Sequence, residues 1–173
     1  MDTLEDAGNK TRAQLLRRLR REVSDERVLA VTPADHVLDV GTGSGYQAAF
    51  LSRLAAHVTG VERLPDLVDG ARHVLRSLAC NNVEVHLGLD ELGWPQAAPY
   101  DGIVVAAAAP SVPDALVRQL RVGGRLVMPV GTPFEQNLVA LTRVSVQGDV
   151  SVRWLVPCRF VPLIGEGGWP SDS

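Results

Sequence analysis

A chain of 173 residues, 46% of them hydrophobic, is long enough for one domain and apolar enough for one buried core. A formal net charge of -3 argues against bulk electrostatic attraction to nucleic acid. With no apolar run long enough to span a bilayer and a polar, acidic Met1 to Lys10 in place of a signal peptide, the chain reads as cytoplasmic, with no membrane partner.

Residues 11–30 are expected to form one or two helical segments. Leu15, Leu16, Leu19 and Val23 make the apolar side, and Arg17, Arg18, Arg20 and Arg21 the solvated face. Ser24-Asp25-Glu26 breaks them or caps a second short helix. The chain then divides into a helical extension over residues 1–33 and an α/β domain over 34–173. Thr32 to Asp35 reads as a turn, and His36 to Val40 as a strand running into Gly41-Thr42-Gly43-Ser44-Gly45. Apolar spacing predicts a helix from Tyr46 to Ala56. A second strand follows over Val58 to Val61, ending at Glu62, and Pro65 opens a helix to about Leu78. Val83 to Leu87 reads as the third strand. Asp101 to Ala106 reads as the fourth, nearly all apolar, as a parallel strand buried on both faces should be. Pro113 to Leu120 reads as a helix stopped by Gly123-Gly124, and Arg125 to Val130 as the fifth strand. Leu138 to Val146 and Val150 to Val156 read as strands joined by Gln147-Gly148-Asp149, a hairpin signal. The pattern predicts a mostly parallel open sheet with one late antiparallel pair.

Cys80 and Cys158 have no partner at metal-ligand spacing, and His36, His57, His73 and His86 are scattered, so no metal site is expected. The glycine turn carries more information. Without Cβ atoms, its backbone can approach a ligand closely, and the helix it opens offers free N–H groups to an anion. Glu62 ends the next strand, where an acid binds ribose hydroxyls in such folds. A dinucleotide site wants G-x-G-x-x-G, but the third glycine position is Tyr46 and the run reads G-x-G-x-G. This spacing favours a nucleoside without a pyrophosphate, S-adenosylmethionine. A nucleotide, or a structural turn with no ligand, are the other readings.

Longer stretches narrow the choice. Val37-Leu38-Asp39-Val40-Gly41-Thr42-Gly43-Ser44-Gly45-Tyr46-Gln47-Ala48-Ala49 resembles the first motif of the protein-L-isoaspartate O-methyltransferases. Leu92-Gly93-Trp94-Pro95, Tyr100 to Val105 with Ala107 to Pro110, Gly123 to Gly131, Gln136, and Arg159 to Gly165 resemble later motifs in the same order. The resemblance implies a Rossmann-like, seven-stranded methyltransferase fold, S-adenosyl-L-methionine as cofactor and O-methylation of a carboxylate. It implies a cofactor-binding set of Asp39, Gly41, Thr42, Gly43, Ser44, Gly45, Glu62, Arg63, Leu89 and Asp90. The glycines would surround the methionine part, Asp39 would orient the turn and Glu62 would take the ribose. Asp101, at the start of its strand, reads as structural.

Three departures qualify that expectation. The family's Gly-x-x-x-Ser-x-Pro-like segment, which covers the site and grips the peptide, has no counterpart between Ser24–Leu29 and the first core strand, so no catalytic residue carries over. Gly88-Leu89-Asp90 stands where the family has Gly-Asp-Gly, leaving Asp90 or Leu89 to face adenine. Ala106 replaces a polar residue at the end of the fourth strand. The expected acceptor is therefore a peptide carboxylate or a small molecule, with a homodimer or partner chain covering the site. A small-molecule or modified-peptide methyltransferase, and a non-catalytic cofactor-binding module, are the alternatives.

Overall fold

The computed structural model describes residues 29–88, 91–165 and 167–170. The helical segments expected before Leu29, and the candidate residues Leu89 and Asp90, lie outside the described residues. Strand β1 spans His36–Val40, followed by helix α1, Tyr46–Leu51. Strand β2 spans His57–Glu62 and helix α2 Pro65–Ser77. Strands β3 and β4 span Val83–Leu87 and Tyr100–Val105, joined by a segment with one 3-10 turn at Pro95–Ala97. Helix α3 spans Asp114–Gln119, and strands β5, β6 and β7 span Leu120–Gly131, Gln136–Arg143 and Val150–Cys158.

The seven strands form one sheet in the order β3-β2-β1-β4-β5-β6-β7. Strands β1 to β5 are parallel, β6 runs antiparallel to β5, and β7 turns back against β6. The Rossmann-like, mostly parallel sheet with a late antiparallel hairpin expected from the sequence is the fold of the chain. The order reverses between β1 and β4, which opens a crevice beyond their carboxyl ends.

Alternation along the strands sets the two faces. Leu38 and Val40 of β1 join Ile103, Leu126 and Met128 in a core that α3 covers with Leu116. Leu38, Ile103, Leu116, Leu126 and Met128 are all fully buried. Each such side chain stabilises the fold by about 1.5–3 kcal/mol. The amphipathic helix α2 buries Val68, Ala71 and Leu75 and packs with α1 against β1 to β3. Strand β7 forms the outer edge and leaves Val152 and Trp154 43% and 63% exposed. Among the described residues, no helix is long and apolar enough to cross a membrane.

Several element boundaries differ from expectation, each for a tertiary reason. The first helix stops at Leu51 rather than Ala56, because the backbone N–H groups of Arg53 and Leu54 bond only three residues back, tightening the chain into a turn. Gly123-Gly124 does not stop a helix. It lies inside β5, which begins at Leu120. A Cβ on Gly124 would come within 3.0 Å of Tyr100 O and 3.2 Å of Asp101 O, so the glycine allows β5 to press against β4 at the irregularity between Tyr100 and Gly102. Strand β6 ends at Arg143 rather than Val146. The Arg143 guanidinium donates to the carbonyls of Ser145 and Val146 and curls the chain into the hairpin.

At the amino ends of the strands, three rings meet. His36 packs edge-on to Tyr100 and to His57, with centroids 4.7 and 5.1 Å apart. The His36 backbone N–H donates to Asp101 Oδ2 at 2.8 Å, and Asp101 pairs with Arg121, which makes its role structural, as the sequence implies. Burial works to raise the Asp101 carboxyl, but the His36 N–H and Arg121 outweigh it and hold the pKa below the ordinary value. The Tyr100 phenol donates to Trp94 O at 2.6 Å, and burial pushes its pKa up to about 12. Burial, and then the neighbouring His57, lower the pKa of His36 against the opposing pull of Asp101 and Glu84.

The sign of the His36 effect follows from linkage. Its folded pKa lies below the unfolded value of about 6.5, so the unfolded chain takes up the proton first as pH falls. The contribution is complete above that value and is lost as pH drops through the folded pKa. Melting temperature measured from about pH 8 to pH 5 is expected to fall, and His36→Gln is expected to flatten the part of the fall below neutrality. An unchanged slope in the variant would remove His36 as the cause.

Candidate cofactor and active site

The site is built where β1 and β2 end. Gly41, Gly43 and Gly45 all have positive φ, at 80°, 53° and 80°. That alternation is the physical meaning of G-x-G-x-G, because side chains rarely tolerate this region. The turn is tied down by its own backbone. The N–H groups of Gly41 and Thr42 donate to Val61 O at 2.8 and 3.1 Å, and that of Gly45 to Thr42 O at 3.0 Å. Thr42 is fully buried, and its hydroxyl donates to Asp39 O at 3.1 Å.

Glu62 completes the arrangement. Its carboxylate is only 7% exposed and turns inward. Oε2 accepts from the Gly43 N–H at 2.9 Å, and Oε1 from the N–H groups of Arg63 and Leu64 at 2.8 and 3.1 Å. Three N–H donors stabilise the buried charge. A carboxylate offers about four acceptor positions, so Glu62 retains capacity for a ligand hydroxyl.

The other candidates fall around this pair. Asp39 is fully buried on β1 below the turn. Ser44 and Arg63 are exposed at the rim, with Tyr46 beside them at 56% exposure. The structure thus brings together Asp39, the glycine turn and Glu62. Helix α1 is only six residues long, so the field it offers an anion is shorter than the expected helix would provide.

A partner of the turn that the sequence reading misses is Gly60 on β2. A Cβ there would stand 2.6 Å from Thr42 Oγ1 and 3.3 Å from Thr42 Cγ2. Its sequence signal is a lone glycine inside a strand, which marks close approach. Across the crevice, the Ala106 N–H donates to Val40 O at 2.9 Å, and Ala108 exchanges bonds with Val161 and Leu163. This small rim closes the carboxyl end of β4. A separate groove of about 320 Å³ has walls from α2 and β3, with Arg72, Arg76, Cys80 and His86 among its lining residues.

Comparison with known proteins decides the family. The family model for protein-L-isoaspartate(D-aspartate) O-methyltransferase (PCMT) matches residues 24–168. The chain belongs to the PCMT family. A protein-L-isoaspartate O-methyltransferase 2 of Pelobacter propionicus is 56% identical over 142 residues, covering 82% of this chain and 63% of the relative. A protein-L-isoaspartate O-methyltransferase of Rhodopseudomonas palustris is 50% identical over 142 residues, covering 82% and 65%. The chain therefore spans somewhat less than two thirds of these PCMT relatives. Among solved structures, a protein-L-isoaspartate O-methyltransferase superposes with a TM-score of 0.74 at 26% identity, over 82% of this chain and 46% of that one. A putative PCMT from Plasmodium falciparum, solved with S-adenosyl-L-homocysteine, shares the fold with a TM-score of 0.62 at 24% identity, over 83% and 69%.

Proposed function

We propose that the chain binds S-adenosylmethionine at Gly41–Gly45 and Glu62 and methylates a peptide carboxylate of the L-isoaspartyl type. The single observation carrying this reading is the 2.9 Å bond from the Gly43 N–H to Glu62. It fastens the bare-backbone turn after β1 to the acid that ends the neighbouring strand β2. The residues suit the group. Positive-φ glycines admit a close ligand, Glu62 keeps acceptor capacity for a ribose hydroxyl, and Ala106 leaves the end of β4 uncluttered. PCMT relatives of about 50% identity and more carry the activity in their names.

The chemistry asks little acid–base help of the chain. A carboxylate is ionised at neutral pH, so no side chain need remove a proton. When bound, the cofactor supplies an electrophilic methyl on a sulfonium: the carboxylate oxygen–carbon bond forms as the carbon–sulfur bond breaks, leaving neutral thioether and ester. The glycine turn would hold the methionine part and Glu62 the ribose hydroxyls, so what the chain contributes is alignment of the two reactants.

The direct test is an L-isoaspartyl peptide incubated with methyl-labelled cofactor. A base-labile ester on the peptide is expected, with none on the aspartyl control. Label appearing only on small acids or phenols would transfer the reading to a small-molecule methyltransferase. A chain that binds cofactor yet labels nothing would leave it a binding module.

A further inference from the structure

Gln47 is a polar side chain on a face that is otherwise apolar. It is the second residue of α1, directly after the glycine turn, and shares its buried face with Ala48 and Leu51. Only 6% of it is exposed, and its amide nitrogen Nε2 has no hydrogen-bond partner among the described residues. A buried donor left without an acceptor destabilises a fold and is rare in native structures, so it calls for a cause. Gln47 belongs to the motif Val37–Ala49, yet the cofactor-binding set implied by the resemblance does not include it.

The fold fixes where this amide sits. Helix α2 packs on β3 and β2, and α1 on β2 and β1. A Cβ on Gly45 would stand 3.4 Å from Ala71 and Leu75, so that side of the start of α1 meets α2. Gln47 comes two residues later, roughly 200° further round the helix, with the buried Leu51 one turn beneath it. Tyr46, between them, faces outward. Gln47 therefore lies on the inner side of α1 turned away from α2, which in the order β3-β2-β1-β4 is the side of β1 and β4. There the ends of those strands come close, since a Cβ on Gly41 would stand 3.7 Å from Ala106 Cβ. Helical side chains lean toward the amino end of their helix, which here is the glycine turn.

The turn itself has few donors to spare. The N–H groups of Gly41 and Thr42 are taken by Val61, that of Gly43 by Glu62 and that of Gly45 by Thr42. A carboxylate brought to this turn needs a donor from a side chain, and Nε2 of Gln47 is a donor that needs an acceptor. We infer that Gln47 binds the α-carboxylate of the cofactor's methionine part through Nε2. This rests on the cofactor reading above. It adds a residue that selects for the amino-acid end of the ligand, while Glu62 serves the ribose.

The test is calorimetric titration of the whole chain with two ligands: S-adenosylhomocysteine, which carries the amino-acid end, and 5′-methylthioadenosine, which lacks it. The parent is expected to bind the first more tightly. Gln47→Leu should weaken S-adenosylhomocysteine roughly tenfold or more, the scale of a charged hydrogen bond, and leave 5′-methylthioadenosine unchanged. Gln47→Met, which keeps the length of the side chain and lacks the donor, should do the same and decides the case if Gln47→Leu does not fold. The melting temperature of the free chain separates binding from structure. Removing an orphaned donor should hold or raise it, whereas a residue that merely supports the fold would lower it. Equal binding of S-adenosylhomocysteine by the parent and both variants, an equal loss for the two ligands, or a parent that binds both ligands alike overturns the inference while sparing the cofactor reading. A parent that gives heat with neither ligand overturns the cofactor reading, and the inference with it.

Discussion

Calorimetric titration with S-adenosylhomocysteine is expected to give clear heat for the parent chain and a binding loss of about 1.5–3 kcal/mol for Glu62→Ala, the scale of hydrogen bonds to a charged group. That is roughly a 10- to 150-fold weaker dissociation constant. The effect has two sources. A ligand hydroxyl loses its acceptor, and the N–H groups of Gly43, Arg63 and Leu64 lose theirs. The second loss is felt without ligand, so the melting temperature of the free variant should drop as well. Glu62→Gln separates the two, since its amide oxygen still serves part of the turn but carries no charge. It should melt closer to the parent and still bind weakly. Heat from Glu62→Ala equal to that of the parent would remove Glu62 from the cofactor site.

Gly60→Ala is expected to be the most damaging of the conservative changes near the site, although Gly60 touches no ligand. The added methyl would stand 2.6 Å from the Thr42 hydroxyl oxygen, inside van der Waals contact, in a region with no room to yield. Overpacking of this kind costs about 1–3 kcal/mol. Thr42 sits between two of the positive-φ glycines, so the displacement reaches the turn, and cofactor binding should weaken together with stability. The decisive observation is the double variant. Thr42→Ala takes away both atoms that collide, so adding it to Gly60→Ala should recover part of the lost stability, a non-additivity expected of residues in contact. Strict additivity of the two changes would mean that the clash is relieved elsewhere.

The parallel core was legible because its signals are local. The mainly apolar stretches Val37–Val40, broken only by Asp39, and Gly102–Val105, a glycine turn after the first, and Pro65 at a helix start each state their structure within a few residues. Glu62 was legible for the same reason, since an acid at the tip of the second strand faces the first turn by topology alone. What escaped depends on distant atoms. Gly123-Gly124 has the composition of a helix stop, yet its need for glycine comes from the carbonyls of Tyr100 and Asp101. The need for glycine at position 60 comes from Thr42 on the neighbouring turn, which its own strand does not announce. Gln119 is buried to hold Leu92 and Trp94 by hydrogen bonds of 2.8 Å, a role that spacing within α3 does not announce. Gln136 was singled out by resemblance, but its grip on Phe160 spans 24 positions.

The way the glycine turn is fastened bears on affinity. Four of its amides already have acceptors in Val61, Glu62 and Thr42 before any nucleoside arrives. Ordering a loose backbone on binding would subtract about 1–2 kcal/mol per residue from the affinity. A hollow that is preorganised in this way spares the ligand that entropic toll and leaves more of each contact to appear as tightness of binding.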